Sequence, residues 1–261
     1  MGKIYNQRVK TIRRYTEMAR IFITGSADGL GQLSAKALIE QGHHVVLHAR
    51  NAVRGRDAIK KNPAAETVIT GDLSNVEETK KLAQAVNELG MFDAVIHNAG
   101  VYQSSANEIF TINTLAPYIL TCLIQQPERL IYLSSGMHLH GHFKPEQFKT
   151  GINHTTYSDS KLHVLMLCFA VAGKWSQVYA NTVDPGWVPT KMGGRDAPGD
   201  LQKGYETQVW LAVSNDEQAK VSGRYFFHQK ERRSNPEAED VQLQEKFLSL
   251  CEEITGVSFP G

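Results

Sequence analysis

The chain has 261 residues, of which 41% are hydrophobic and 21% are charged, and its formal net charge is +1 at pH 7. This balance is typical of a globular chain long enough for one large domain. The near-neutral charge gives no global electrostatic reason to expect nucleic acid or acidic lipid as a partner. No apolar run reaches membrane-spanning length, and no charged start leads into an apolar secretion segment. We therefore expect a cytoplasmic location.

The first predicted strand, 20–24, runs directly into a glycine cluster, and helical periodicity follows over 32–41. A strand, a glycine-rich turn and a helix in this order form the phosphate-binding cradle of dinucleotide-binding proteins. Gly25 permits a tight turn, Gly29 allows the backbone to approach a pyrophosphate, and Gly31 permits close packing of helix on strand. A glycine turn that binds no ligand is the alternative interpretation.

The second predicted strand, 44–48, is followed by Arg50 and has no acidic residue near its end. In dinucleotide-binding folds an acid at this point binds the adenosine ribose hydroxyls, whereas an arginine accommodates a 2′-phosphate. Arg50, with Arg54 close behind it, therefore favours NADP(H), with NAD(H) as the second choice. A solvated arginine in a turn is the alternative.

Further strands predicted at 66–70 and 92–97 alternate with amphipathic helices, of which the helix at 76–89 has Ser74 as a candidate N-cap. This alternation predicts an α/β fold with a three-layer, doubly wound parallel sheet of about seven strands and helices on both faces. Ligands bind such sheets at the carboxyl ends of the strands. Four of the candidate residues lie at such ends: Gly25, Arg50, Asp72 and Asn98.

A long helix predicted over 107–123 contains Pro117. Proline has no N–H, so it cannot bond to the carbonyl group four residues earlier, which belongs to Asn113. We therefore expect a kink near Asn113, where a free carbonyl and a polar side chain would make a water site. A tolerated kink without a function is the alternative.

The fifth predicted strand, 130–135, is followed by a long predicted loop over 136–156. The loop contains three alternating histidines, His138, His140 and His142. Alternating histidines can ligate zinc, but no cysteine or suitably spaced carboxylate supports a site here. We therefore favour a histidine-rich lid and predict no metal.

The next predicted helix begins with Tyr157 and carries Lys161 four positions later, so the two side chains lie on one helix face. A phenol has a pKa of about 10. A neighbouring ammonium favours the anion and lowers that pKa. Such a tyrosine can pass a proton to or from a carbonyl or alcohol oxygen. The spacing by itself also arises by chance on surface helices.

The remainder of the chain continues the alternation of strands and helices. The pattern predicts a strand at 178–183, a Pro185-Gly186 turn, a glycine- and proline-rich mobile flap at about 187–201, a helix near 205–213, a strand near 223–228, a charged loop at 229–236 and an amphipathic helix at 237–256. Basic residues interrupt the few apolar ones over 1–17, which we interpret as an N-terminal extension. We expect residues 18–261 to form a single domain.

These motifs, taken in chain order, resemble those of the short-chain dehydrogenase/reductase family over about residues 19–229. The resemblance rests on Thr24 to Gly31 with its three glycines, Asn98-Ala99-Gly100, Asn113, Ser135, Tyr157 with Lys161, and Pro185-Gly186. The long segment between Ser135 and Tyr157 is similar to the expanded segment of the retinol-dehydrogenase-like and carbonyl-reductase-like branches.

The resemblance implies a Rossmann-like domain and a role for each residue of the site. It implies that Tyr157 is the acid/base, and that Lys161 lowers its pKa and binds the nicotinamide ribose. Ser135 would hydrogen-bond the substrate oxygen, and Asn113 would hold a relay water. The implied cofactor-binding residues are Gly25, Ser26, Gly29, Leu30, Gly31, Arg50, Asp72, Leu73, Asn98, Ala99, Gly100, Tyr157, Lys161, Pro185, Gly186, Val188 and Thr190. One departure is Asp28, which stands where many NADP-preferring members carry a basic residue.

The combined prediction is an NADP(H)-dependent oxidoreductase that interconverts a carbonyl and an alcohol by hydride transfer, with a tyrosine acid/base. Three aromatic residues in the loop and the flap suggest a partly apolar small-molecule substrate: Phe143, Phe148 and Trp187. The alternative is a non-catalytic NADP(H)-binding sensor or scaffold, although such a protein needs no acid/base set. A sugar-nucleotide epimerase is disfavoured, because no separate C-terminal substrate domain fits in the sequence. The resemblance also implies a homodimer or homotetramer.

Overall fold

The strands of the protein join in one sheet that brings the predicted motifs to a common edge. The computed structural model describes residues 18–150 and 154–261, so the predicted extension over 1–17 lies outside the described residues. The strands are β1 Arg20–Ile23, β2 His44–Ala49, β3 Thr67–Thr70, β4 Ala94–His97, β5 Arg129–Leu133, β6 Tyr179–Asp184, β7 Arg224–Phe227 and β8 Lys230–Arg232. Their order in the sheet is β3-β2-β1-β4-β5-β6-β7-β8.

The sheet is doubly wound, as predicted. From β1 the chain first moves outward to β2 and β3, and then returns to the other side of β1 at β4. Pairs from β3 through β7 are parallel, so the carboxyl ends of these strands lie at one edge. The order reverses between β1 and β4, which is the point where such sheets bind ligands.

The described part of the sheet has eight strands rather than about seven. The segment 229–236, predicted as a charged loop, contains β8, which pairs with β7 in antiparallel fashion. The two strands are joined by His228 and Gln229, which both have positive φ angles, 50° and 58°. This is the backbone sign of a two-residue hairpin turn, but the usual glycine or asparagine signal is absent from the sequence.

Helices cover both faces of the sheet and complete the three layers. The helices are α1 Gly29–Glu40, α2 Ala52–Lys61, α3 Val76–Glu88, α4 Ala106–Phe110, α5 Ala116–Leu123, α6 Pro145–Thr150, α7 Tyr157–Lys174, α8 Leu201–Val213, α9 Pro236–Glu239 and α10 Val241–Thr255. Successive strand side chains point to opposite faces. Phe22 therefore joins the core under α3, α5, α7 and α10, whereas Ile21 and Ile23 join the core under α1, α2 and α8. Within the described residues, no helix is long and apolar enough to cross a membrane.

The helix predicted over 107–123 is interrupted just before Pro117. Residues Thr111–Leu115 form a π-helical turn between α4 and α5, and the Ala116 N–H donates to the Thr111 carbonyl five residues earlier. Pro117 then occupies the first turn of α5, where its missing N–H is harmless. Asn113 lies inside the widened turn, at the place where the sequence predicts a kink.

Two local predictions need correction. The N-cap of α3 is Asn75, whose side chain accepts from the Glu78 N–H, and not Ser74. The described part of 136–156 is also more regular than a loop, because a 3₁₀ turn at Gly136–His140 precedes α6. Helix α6 is short, so it depends on packing. Its Phe148 ring lies 6.1 Å from that of Phe247 in α10, a contact that local sequence does not reveal.

Candidate active site

The glycine turn after β1 is built around Asn98. The amide nitrogen Nδ2 of Asn98 donates to the carbonyl groups of Thr24 and Gly25, at 3.0 and 3.1 Å. A Cβ atom on Gly31 would collide with this amide, and one on Gly25 would lie 2.9 Å from the Ala99 Cα. Gly25 also has a φ of +63°, which disfavours other residues. The glycines and Asn98 thus form one unit at the switch point of the sheet.

His48 braces the same turn, although its role was missed in the sequence. Its Nδ1 accepts from the Gly25 N–H at 2.9 Å, and its Nε2 lies 2.9 Å from the Gly71 carbonyl. Because Nδ1 accepts, Nε2 carries the proton and donates to Gly71. Burial lowers the pKa of His48 to about 4, so the ring is neutral at pH 7. A histidine in an otherwise apolar strand was the available signal.

The carboxylate of Asp28, just before α1, pairs with several cationic side chains. It accepts from the Gly29 N–H at 2.9 Å and pairs with Arg54 and Lys61, each at 3.4 Å, and with Lys191 of the predicted flap. Burial opposes its ionisation, but the bonds from Lys191 and Gly29 and the charge of Lys61 hold the pKa of Asp28 well below its usual range. Three cations surround one anion, so this region is positive overall.

Arg50 is exposed at the carboxyl end of β2, and it enters no ion pair within 18–150 and 154–261. Asp72 and Leu73 lie at the corresponding end of β3, where the Asp72 carboxylate accepts from the Ser74 N–H and hydroxyl, at 3.0 and 2.8 Å. Leu73 is buried. Within the described residues, Arg50 is thus a cation without a carboxylate partner, and it lies shortly before Arg54 in the chain, which pairs with Asp28.

Four predicted catalytic residues meet at the ends of β4 and β5. Thr156 and Asp159 form a capping box that starts α7 at Tyr157, and Lys161 follows one turn later. The Lys161 Nζ lies 5.4 Å from the centre of the Tyr157 ring. A Cβ atom on Gly100 would lie 3.3 Å from both the Lys161 Nζ and the Asn113 Oδ1, so these two side chains share one small space.

Asn113 is buried and fully engaged. Its Oδ1 accepts from the Val101 N–H at 2.8 Å, while its Nδ2 donates to the Val101 carbonyl at 2.9 Å and to the Ser160 hydroxyl at 3.0 Å. The side chain therefore ties the segment after β4 to the start of α7. The structure shows a bracing role for this side chain, and the relay water stays a prediction.

The two serines after β5 have different environments. The Ser134 hydroxyl is buried and donates to the Lys161 carbonyl at 3.0 Å. The Ser135 hydroxyl caps the following turn by accepting from the Met137 N–H at 3.2 Å. The Ser135 side chain also lies close enough to the Tyr157 phenol to lower its pKa. Ser135 is thus the serine that faces the tyrosine.

The prediction that the pKa of Tyr157 lies below its ordinary value is wrong. Burial raises the pKa of Tyr157 to about 12, the bond with Ser135 lowers it, and the charge of Asp184 adds to the rise. Lys161 is only 4% exposed, and burial lowers the pKa of its ammonium to about 8. Its Nζ donates to the Leu133 carbonyl at 2.9 Å rather than to the phenol oxygen. Burial therefore decides the direction for both groups.

The predicted flap over 187–201 contains no helix or strand before α8 begins at Leu201. The Thr190 hydroxyl accepts from the Gly193 N–H at 3.1 Å, and the Thr190 side chain lies 3.9 Å from a Cβ placed on Gly29. Val188 is buried, whereas Trp187 is 63% exposed. The flap thus lies next to the glycine turn, and its closure over substrate stays a prediction.

The three histidines of the predicted lid do not converge. His138 is fully buried, and its Nδ1 lies 2.7 Å from the Ser135 carbonyl. His140 is exposed, and His142 pairs with Glu237 at 2.8 Å. Among the side chains that the structure describes, no group of three or more His, Cys, Asp or Glu could hold a metal ion.

Comparison with known proteins identifies the family to which the chain belongs. The sequence model of a family described as short chain dehydrogenase matches residues 19–124. An uncharacterized oxidoreductase of Emericella nidulans is 44% identical over 257 residues, which cover 94% of this chain and 100% of the relative. The chain belongs to the short-chain dehydrogenase family. It is therefore an oxidoreductase.

Other similarities agree with this family. Retinol dehydrogenase 14 of Mus musculus is 24% identical, over 91% of this chain and 86% of that protein. The crystal structure of an uncharacterized protein from Mycobacterium paratuberculosis superposes with a TM-score of 0.75 at 21% identity, covering 93% of this chain and 95% of that one. At this identity the structural likeness supports the Rossmann-like fold alone.

Proposed function

We propose that this short-chain dehydrogenase uses NADP(H) to interconvert a carbonyl compound and an alcohol, with Tyr157 as the proton donor and acceptor. The observation that carries the proposal is the meeting of Tyr157, Ser135 and Lys161 beside the glycine turn. The glycine positions fit a dinucleotide-binding turn, because side chains at Gly25 and Gly31 would collide with Ala99 and Asn98 and open the tight turn that such cofactors require. When bound, the nicotinamide cofactor supplies the hydride.

The side chains of the site can transfer the proton and stabilise the negative charge on the substrate oxygen. The Ser135 side chain lies close enough to the Tyr157 phenol to lower its pKa, so both hydroxyl groups can reach one carbonyl oxygen. In reduction, Tyr157 donates its proton as negative charge develops on that oxygen, and Ser135 donates a hydrogen bond to it. The Lys161 ammonium then favours the tyrosinate that is formed. Asn113 braces this end of α7 through Ser160.

The protonation state of Tyr157 at neutral pH suits reduction. With a pKa raised to about 12, Tyr157 stays protonated throughout the neutral range and is ready to donate. The reverse reaction needs the tyrosinate, so its rate should rise with pH toward that value. An acid/base set of this kind also argues against a purely NADP(H)-binding sensor, which needs no proton transfer.

The preference for NADP(H) is supported by the charge at the adenosine end of the site. Arg50 pairs with no carboxylate in the described part of the chain, and Arg54 and Lys61 both pair with Asp28. Three cations pair with Asp28, so this acid, which stands where many NADP-preferring members carry a basic residue, does not make its surroundings negative. A charge-assisted contact contributes about 1.5–3 kcal/mol, so NADPH should bind at least roughly tenfold more tightly than NADH.

The substrate is proposed to be a small, partly apolar molecule. Large apolar side chains are exposed on the segments that follow β4, β5 and β6, next to the site: Tyr102, Met137, Leu139, Trp187 and Met192. The Tyr102 ring also packs on Tyr157, with ring centres 4.7 Å apart. An apolar rim of this kind favours burial of an apolar substrate body. Retinol, named for the mouse relative, is itself an apolar alcohol.

The proposal is tested by following NADPH consumption with aldehydes and ketones of increasing apolar size. We expect turnover that rises with apolar size, and tighter binding of NADPH than of NADH. Arg50→Ala should remove most of that preference, whereas Arg56→Ala, which changes another exposed arginine nearby in α2, should preserve it. Equal affinity of the wild type for both cofactors would contradict the NADP(H) assignment. Cofactor binding without turnover of any carbonyl would favour the sensor.

A further inference from the structure

Asp184, the last residue of β6, lies beside the proposed catalytic residues although no motif points to it. Val183 is the register partner of Leu133, so Asp184 follows on β6 where the two serines follow on β5. Its Oδ1 accepts from the Gly186 N–H at 2.8 Å. A tight turn after the strand thus fixes one oxygen of this carboxylate.

The other oxygen is fixed from β7. The Tyr225 hydroxyl donates to the Asp184 Oδ2 at 3.1 Å, and Tyr225 is itself buried. A Cβ atom on Gly136 would lie 3.1 Å from the same oxygen. The carboxylate is therefore held against the backbone that follows Ser135, on the side of the sheet edge where Tyr157 and Ser135 meet.

The placement of Asp184 supplies a counter-charge for the buried ammonium of Lys161. Its ammonium is buried, and its hydrogen-bond acceptor, the Leu133 carbonyl, is neutral. Burial of an ammonium without a counter-charge is strongly unfavourable. No salt bridge within the described ranges includes Lys161, and Asp184 is the carboxylate whose charge opposes the burial-induced fall of the Lys161 pKa.

We propose that Asp184 is a positioning residue whose carboxylate favours the ammonium form of Lys161 and the protonated form of Tyr157. The catalytic meaning of this inference rests on the proposed function, but the charge states themselves do not require turnover. The ionisable groups that face the carboxylate are Tyr157, Lys161, Tyr225 and His138, and Tyr102 also faces Tyr157. In reduction, this arrangement adds to the preference of Tyr157 for its protonated form before a substrate oxygen accepts the proton.

The test is a direct titration of both groups by NMR in protein labelled with ¹³C at tyrosine Cζ and lysine Cε. Tyr157→Phe and Lys161→Arg assign the two signals by their disappearance. In Asp184→Asn, where the amide can still accept from Gly186, the titration midpoints of both groups should fall by about one pH unit, the scale on which a neighbouring charge acts. Glu217→Gln, at a residue whose side chain is 92% exposed, should leave both midpoints unchanged.

A second variant separates charge from packing. Tyr225→Phe removes the hydroxyl that holds Asp184 but keeps the carboxylate, so both midpoints should stay near their wild-type values. Equal shifts in Tyr225→Phe and Asp184→Asn would overturn the inference, as would unchanged midpoints in Asp184→Asn. If Asp184→Asn does not fold, Asp184→Ser serves instead, because its hydroxyl can still accept from Gly186.

The result also distinguishes this inference from the proposed function. Shifted midpoints in a protein that reduces no carbonyl would support the charge coupling and contradict the function. Unshifted midpoints in an enzyme that reduces carbonyls would contradict the charge coupling and support the function.

Discussion

Replacing His48 with leucine removes the two hydrogen bonds by which this ring ties the glycine turn to the end of β3. His48 is 3% exposed, and leucine can neither accept from the Gly25 N–H nor donate to the Gly71 carbonyl. A backbone group deprived of its partner costs about 1–3 kcal/mol. Because both groups are only partly buried, the expected loss is about 2–3 kcal/mol of unfolding free energy in total.

This loss should appear in two measurements. For a chain of this size, a loss of about 2–3 kcal/mol corresponds to a fall in Tm of roughly 5–10 °C. The turn is the proposed pyrophosphate cradle, so we also expect NADPH to bind about tenfold more weakly by titration calorimetry. His44→Leu is the matched control, because His44 is exposed at the opposite end of the same strand. If both variants show the same Tm and the same NADPH affinity, His48 does not hold the turn.

Two further predictions concern packing and pH. Gly31→Ala would push a methyl group into Asn98. We therefore expect the free energy of unfolding to fall by about 1–3 kcal/mol and NADPH binding to be lost. The control is Gly173→Ala, whose added methyl group meets open space and should leave stability unchanged or slightly higher. Near-native thermal stability with normal NADPH affinity in Gly31→Ala would count against the Asn98 unit. Burial lowers the pKa of His48 to about 4 and those of His97 and His163 to about 3, against about 6.5 in the unfolded chain. The neutral rings therefore favour the fold fully above pH 6.5, and denaturant unfolding should show that stability falls as pH drops from 6.5 toward 3. A flat profile over that range would contradict their burial as neutral groups.

Much of the first half of the fold could be predicted from the sequence because its signals are local. The strand, the glycines and the helix of the first unit are contiguous, and the position of Pro117 alone predicts the interruption that appears as a π-helical turn at Asn113. The start of α7 at Tyr157 likewise depends on a neighbouring capping box. Such features need no knowledge of distant contacts.

The features that the sequence did not reveal depend on contacts between distant segments. His48 and Asp184 matter because strand register sets them beside the turn of β1 and the end of β5. The direction of the Tyr157 pKa shift follows from burial, which a helix pattern does not report. Helix α6 depends on Phe148 packing against α10.

The central claim is that the Tyr157 phenol transfers the proton in carbonyl reduction. The most direct measurement is single-turnover reduction by Tyr157→Phe, with NADPH affinity determined on the same sample. We expect normal cofactor affinity, because the ring still packs on Tyr102, and a rate at least about 10²–10⁴-fold below that of the wild type. Wild-type turnover by Tyr157→Phe, on a carbonyl that the native protein reduces, would show that the phenol is not the acid.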